Sequence, residues 1–397
     1  MIYNRRMKRI SAGLCAVAAI LSVAALPTLC ACNKGENNDN GYSCSFFAMD
    51  TAARLAAANV NKTDFEKLSD RVERFLSAAE NSLSVSRSNS YIAGFNSAAA
   101  GATVELDEIS YEALTLAKEV YAETGGYFNP AVYYCEDVYG FAARPQSAGS
   151  MPYDREGDTP TLPDNKYVTA FRELAEHFSE VEIFQLDGAY YATKPDFTVS
   201  VEGDDNEYSL ALDLGGIAKG WCVDKVNEML AEAGIEYGFF SFGLSSMGVK
   251  AHPKGDGNYN VAVGDPRGNG LYTSFKMKNA NLSTSGDNHA YYTVDGTRYC
   301  HIISPLTGSP IQTGVASVTV VGGGAGRSDA LTTALMAMGK ERAAQFINEN
   351  LADCKVVMLI FEEGAGKVLT NAPDYFAIEN GNYVLANTVE AGKIVLN

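Results

Sequence analysis

The chain has 397 residues, enough for one large domain with a full hydrophobic core or for two small ones. Its 46% hydrophobic and 20% charged content is that of a globular protein and excludes a disordered or fibrous chain. A formal net charge of −17 excludes a nucleic-acid partner, because no basic surface beyond the first ten residues remains to neutralise phosphates.

At the N-terminus, Arg5, Arg6, Lys8 and Arg9 form a basic cluster without an acid. An apolar run follows from Leu14 to Leu26, then Leu29-Cys30-Ala31-Cys32. Charged, apolar and small residues in that order predict a secretory signal peptide over residues 1–31, too short for a comfortable membrane span. The Leu-x-Ala-Cys ending resembles a lipobox, in which Cys32 becomes the lipidated first residue of the mature protein. That places the chain on the outer face of a bacterial cytoplasmic membrane, or its periplasmic side. A plain signal peptide or an uncleaved anchor is the alternative. Residues 32–45 read as a polar tether and 46–397 as one large domain. Outside the export segment, Cys44, Cys135, Cys222, Cys300 and Cys354 are odd in number and form no CxxC pair, which favours free thiols over a disulfide framework or a soft-metal site.

In chain order, periodicity predicts helices over Asp64–Ser82 and Ile109–Thr124, a strand over Val181–Leu186, and a helix over Gly220–Ala233. Strands over Gly238–Phe242, Tyr259–Val263 and Ala316–Val321 follow, then a helix over Asp329–Glu349 and a strand over Lys355–Phe361. This mixed order predicts an α+β fold with mainly antiparallel sheets and packed helices. Residues 141–165, rich in Pro, Gly, Ser and Asp, read as a long irregular loop with an exposed surface.

Three segments concentrate polar chemistry. In Leu212-Asp213-Leu214-Gly215-Gly216-Ile217-Ala218-Lys219-Gly220, an apolar strand runs into a double glycine at the start of an amphipathic helix. Such a turn lets a backbone approach an anion at a helix N-terminus with Lys219 at hand, or it is simply a tight strand-to-helix connection. In Ser328-Asp329-Ala330-Leu331-Thr332-Thr333, Ser328 is a candidate helix cap, and Asp329 and Thr333 stack four apart on one face. That pair offers hard oxygen ligands suited to magnesium, or Asp329 merely complements the helix dipole. Third, His301-Ile302-Ile303-Ser304-Pro305-Leu306-Thr307-Gly308-Ser309-Pro310 places His301 at the edge of a turn, as a proton shuttle or a structural side chain. None of the four histidines are paired at zinc-ligand spacing.

Taken in order, these segments resemble the FAD:protein FMN transferase (ApbE) family. The resemblance begins at Ala48-Met49-Asp50-Thr51 and continues through Leu83–Ser86 to Phe95-Asn96, then Gly125-Gly126-Tyr127-Phe128-Asn129-Pro130. The Asp213–Gly220 run matches throughout, and Thr284–Asp287, the 301–310 run and Asp329–Thr333 complete the set. The resemblance implies that residues 46–397 are a catalytic domain. It implies magnesium held by Asp329, Thr333 and the backbone of Ala218, and FAD lying against Met49, Tyr127, Phe128, Asn129, Asp213, Gly216 and Lys219. FMN would pass to a Ser or Thr of an exported client protein, with His301 or Asp287 taking or positioning the proton and AMP released. The same residues would serve a magnesium-dependent FAD pyrophosphatase, or a non-catalytic FAD-binding lipoprotein. The sequence departs from the family pattern at Asp50, where glycine is commoner, at Ser86 for Tyr, at Ser304 for Asp, and at Gly243-Leu244-Ser245-Ser246 for a Gly-Gly-Asp/Asn turn.

Overall fold

Strand sequences such as Lys-Val-Val-Met-Leu-Ile-Phe-Glu have no polar alternation and need cover on both faces. In the computed structural model, which describes residues 41–144, 150–154 and 160–397, they find it in a nine-stranded sheet. Its strands are β1 (Gly41–Ala48), β2 (Thr51–Ala58), β3 (Tyr237–Phe242), β4 (Ser246–Val249), β5 (Ala280–Gly286), β6 (Val315–Val321), β7 (Lys355–Glu362), β8 (Ala365–Thr370) and β9 (Val384–Leu385). Spatial order follows chain order, and each neighbouring pair is antiparallel except β8 with β9.

Alternate residues feed two cores. Val356, Met358 and Ile360 join the core shared with the helices. Val357 and Leu359 join a second core roofed by a small sheet of Tyr259–Gly264, Leu271–Met277 and Ala377–Ile378. The fold is thus α+β, with mainly antiparallel sheets.

The helices are α1 (Lys62–Leu83), α2 (Tyr91–Ser97), α3 (Glu108–Glu123), α4 (Tyr133–Val138), α5 (Asn165–Glu176), α6 (Ala218–Glu232) and α7 (Ala325–Asn350). Asn61, Ser90, Asp107 and Asp164 cap α1, α2, α3 and α5 by accepting a first-turn N–H, each worth about 1 kcal/mol. Helix α7 breaks at Gly339, whose φ of 71° only glycine adopts freely. No helix among the described residues is long and apolar enough to cross a membrane.

Three expectations need correction. Residues 41–45, read as the end of the tether, are strand. Tyr42 stacks on Phe65 and Cys44 meets the Ser69 hydroxyl at 3.1 Å, so one face is half-buried against α1 although glycine and serine hide the alternation. Ser328 does not cap α7. It lies inside the first turn and donates to Gly322 O, while the Asp224 carboxylate, from α6, accepts the N–H groups of Ala325 and Gly326 at 2.7 and 2.8 Å. A cap delivered from a hundred residues away leaves no local signature. The apolar run Leu210–Leu214 joins no sheet; the Asn96 side-chain amide pairs with its backbone at Leu212 instead.

The signal peptide, the lipobox and Cys32 lie outside the described residues. The five described cysteines are free thiols, four of them buried.

Candidate functional site

A tight contact of α6 with α7 organises the site. A Cβ at Gly220 would stand 2.2 Å from Ala325 O and 2.7 Å from Asp329 Cβ, so only glycine lets the helices touch there. Contact puts the Gly220 N–H on Asp329 Oδ2 at 3.0 Å, and the Ser246 hydroxyl also bonds this carboxylate. Asp329 is 4% exposed, and burial pushes its carboxyl pKa up, against the pull of Lys219 and these hydrogen bonds.

The double glycine lies across the same helix face. A Cβ at Gly216 would sit 3.3 Å from Phe128 Cε2 and 3.6 Å from the Thr333 hydroxyl oxygen. The turn and the Asp329–Thr333 face are therefore in contact. Ile217 offers no side-chain cap to α6, whose first residue is Ala218; the Ala218 N–H donates to Leu214 O at 2.9 Å and the Gly220 N–H to Asp329, and the helix dipole favours negative charge at this end. One carboxylate, one hydroxyl and the turn's backbone carbonyls are hard oxygen donors. As a partial shell they fit magnesium, which keeps waters and takes phosphate oxygens for the rest.

Strand substitutes hold the turn in place. Asn96, at the end of α2, donates to Leu212 O at 2.8 Å and accepts from Leu212 N at 2.7 Å, imitating a ladder pair. Asp213 N donates to Pro130 O at 2.7 Å, and Asp213 Oδ1 accepts from Gly215 N at 2.6 Å. Burial raises the Asp213 pKa, opposed by the Gly215 N–H, by Lys219 and by a hydrogen bond with Glu136. Lys219 Nζ donates to Gly215 O at 2.8 Å, and its charge acts on Asp213, Asp329, His289 and His301.

The two proton-transfer candidates differ in their surroundings. Arg267 clamps Asp287 in a bidentate ion pair, with Arg298 at 3.6 Å from the same carboxylate. With its oxygens engaged by the guanidinium, this carboxylate serves as an anchor. His301 N and Nδ1 both face Ala290 O, at 3.0 and 3.3 Å. If Nδ1–H donates there, Nε2 keeps its lone pair. Burial, with His289 and Lys219 as like charges, holds the His301 pKa down at about 4, so the ring is neutral at pH 7.

Of the residues assigned to flavin, Met49 forms the two-residue β1–β2 turn with Asp50, both at positive φ. Thr51, next to that turn, lies against Gly243, which in turn touches the Lys219 stem. Tyr127 is half-buried against the core. Phe128 and Asn129 are buried: the ring presses on Gly216, and the amide is engaged with Ala175 O and Ala131 N. Their geometry sets where the turn lies. Two departures from the family's glycines, Asp50 (φ 57°) and Leu244 (φ 60°), fall where glycine is favoured. Asp tolerates that region, but for an exposed Leu it costs about 1 kcal/mol.

Sequence reasoning missed Asn96 as a clamp, Glu136 beside Asp213, Arg267 on Asp287, and His289. The last comes beside His301 because Tyr291 pairs with Cys300 in a hairpin. None has a local signal, since each partner arrives from a distant segment. The described part of the 141–165 loop is pinned rather than purely exposed. Tyr153 is buried and donates to Asp137 at 2.7 Å, and Arg144 bridges Asp137 and Asp154. Phe141 stacks on Tyr292 of the hairpin that leads to His301.

A model of the ApbE family matches residues 49–358 of this chain. A FAD:protein FMN transferase of Klebsiella pneumoniae (strain 342) is 27% identical over 334 residues, 82% of this chain and 86% of its own length. One of Treponema pallidum (strain Nichols) is 27% identical over 289 residues, 70% and 74%. The flavin transferase ApbE of Vibrio cholerae superposes with a TM-score of 0.67 at 23% identity, covering 84% of this chain and 97% of that one. The Thermotoga maritima apbe protein gives 0.67 at 24%, covering 83% and 96%.

Proposed function

Because the chain belongs to the ApbE family, we propose that it is a magnesium-dependent FAD:protein FMN transferase acting on an exported client protein. The observation that carries this reading is the contact of the glycine turn, with Lys219, against the Asp329–Thr333 face at the N-terminus of α6. A metal-assisted pyrophosphate site requires that convergence.

FAD is the substrate, and its pyrophosphate lies over the 215–220 turn. Magnesium, when bound to Asp329, Thr333 and the Ala218 carbonyl, supplies charge neutralisation at the phosphate oxygens. Lys219 holds the same oxygens, and the dipole of α6 favours their charge. A client Ser or Thr oxygen attacks the phosphorus on the FMN side. Its proton passes to Nε2 of neutral His301, a P–O bond forms to the client, and the bond to the AMP phosphate breaks with its electron pair. Asp287, clamped by Arg267, fixes the strand end beside His301. Met49 and Tyr127 contact the flavin, while Phe128 and Asn129 set the turn beneath it. Cys32 carries a lipid that anchors the domain outside the cytoplasmic membrane. Loss of acyl labelling in Cys32→Ala checks that part.

The test is to incubate residues 32–397 with FAD, magnesium and an exported flavin-accepting protein. Covalent flavin fluorescence on the acceptor, with one AMP released per label and both lost in Asp329→Ala, is expected. Free FMN and AMP without labelled acceptor would instead make the chain a pyrophosphatase. Unaltered, tightly bound FAD would make it a carrier.

A further inference from the structure

Lys194 is only 1% exposed, and its ammonium is met by backbone carbonyls rather than by a carboxylate. A small sheet sets its place. Lys194 N donates to Ala102 O at 2.9 Å, continuing the pairing of Thr193 with Thr103. From there the side chain reaches the C-terminal end of α2, where Nζ lies 2.9 Å from Ala98 O, 3.0 Å from Asn96 O and 3.4 Å from Phe95 O. The fully buried Phe95 ring, centred 5.6 Å from Nζ, closes one side.

The last carbonyls of a helix have no next turn to bond, and the dipole favours a positive charge beside them. An ammonium carries three hydrogens and no lone pair, so these three carbonyls take all that it can donate. Burying a charge away from water is costly without such partners. What the charge secures is the end of α2, and Asn96 stands there. The Asn96 carbonyl is on Nζ, while its side-chain amide pairs with both backbone groups of Leu212, at 2.8 and 2.7 Å. Leu212 is fully buried and lies four residues before Gly216, which rests against Phe128 and the Thr333 hydroxyl.

We propose, resting on the transferase reading, that Lys194 is a positioning residue for FAD binding, which acts through Asn96 to fix the Leu212 backbone and so the glycine turn beneath the pyrophosphate. It touches neither substrate nor metal. Without Nζ the end of α2 shifts, the Asn96 amide loses its register with Leu212, and the turn no longer meets the Asp329–Thr333 face squarely.

The experiment compares wild type, Lys194→Met, Asn96→Ala and the double variant, each under conditions where unfolding curves show it folded. Methionine keeps the length of the side chain and removes every donor. Amide hydrogen exchange, read by mass spectrometry without FAD, should speed up at least about tenfold over residues 210–216 in Lys194→Met, while α7 and the nine-stranded sheet keep wild-type rates. The dissociation constant for FAD at fixed magnesium should rise at least about tenfold in Lys194→Met. In the double variant it should rise no further than in Asn96→Ala alone, because both changes break one connection. Lys194→Gln, which keeps two donors on one atom, should fall between, and it carries both readouts if the Met variant does not fold. Unchanged exchange over 210–216, or exchange raised uniformly across the chain, would overturn the proposal. Additive losses of FAD affinity in the double variant would overturn the route through Asn96. A wild type that binds no FAD, with fast exchange at 210–216 in Lys194→Met, would overturn the transferase reading and the role in FAD binding, while leaving Lys194 as the hold on the turn.

Discussion

Replacing Gly220 by alanine places a methyl group where α6 and α7 touch. Its carbon would lie 2.2 Å from Ala325 O and 2.7 Å from both Ala325 C and Asp329 Cβ, so the helices must part by about 1 Å, given contact distances near 3.5 Å. Overpacking of this kind costs about 1–3 kcal/mol. Parting also stretches the Gly220 N–H bond to the Asp329 carboxylate, a charged hydrogen bond worth about 1.5–3 kcal/mol. The combined loss is about 2.5–6 kcal/mol, a large share of the ~5–15 kcal/mol that stabilises a domain. Urea unfolding should show a lowered midpoint at unchanged slope, and magnesium-dependent FAD binding should fail even in the folded fraction. Gly216→Ala is the contrasting case, since its methyl meets only the Phe128 ring at 3.3 Å and the Thr333 hydroxyl at 3.6 Å. It should lose about 1 kcal/mol of stability or less, yet impair metal binding strongly. A Gly220→Ala protein within about 0.5 kcal/mol of wild type and binding normally would refute the helix contact as the organiser of the site.

Asn96→Ala strands both backbone groups of fully buried Leu212, and should cost about 2–6 kcal/mol in urea unfolding at about one to three per unpaired group. Arg267→Gln leaves the buried Asp287 carboxylate short of its clamp and should cost about 3 kcal/mol, with most of it recovered by adding Asp287→Asn in a double-mutant cycle. His301, held down at about 4, stays neutral well below the usual histidine range, so the acid limb of transfer should fall near pH 4 rather than 6.5. The stability sign is that of a depressed group: between pH 6.5 and 4 the unfolded chain binds the extra proton, so stability falls as pH drops through that window. His301→Gln should remove that part of the fall in pH-dependent unfolding curves.

Much of the fold was legible because its long elements obey one rule each. Helix α1 follows its apolar period from Phe65 through Leu68, Val72 and Leu76 to Ala79, and β7 is an unbroken apolar run that needs cover on both faces. Strand β1 escaped notice because its half-buried Tyr42 and Cys44 alternate with glycine and serine, and the apolar run Leu210–Leu214 reads as a strand although Asn96 supplies what a neighbouring strand would. In the site, Asp213, Gly216 and Lys219 lie in one run, and Asp329 and Thr333 share a helix face, so local spacing groups them but fits a tight turn and a dipole partner equally well. Their contact could not be read locally, since it depends on Gly220 against Ala325, and only the order of motifs suggested it. Asp224, Glu136, Arg267 and His289 act on partners far away in sequence, and no periodicity encodes such meetings.

Manganese titration followed by electron paramagnetic resonance, with and without FAD, tests most directly whether one site holds both metal and pyrophosphate. The protein-derived shell is partial, so FAD should tighten manganese binding at least tenfold in the wild type, and Asp329→Ala should abolish the gain. Equal manganese affinity with and without FAD, or a gain that survives Asp329→Ala, would contradict the account.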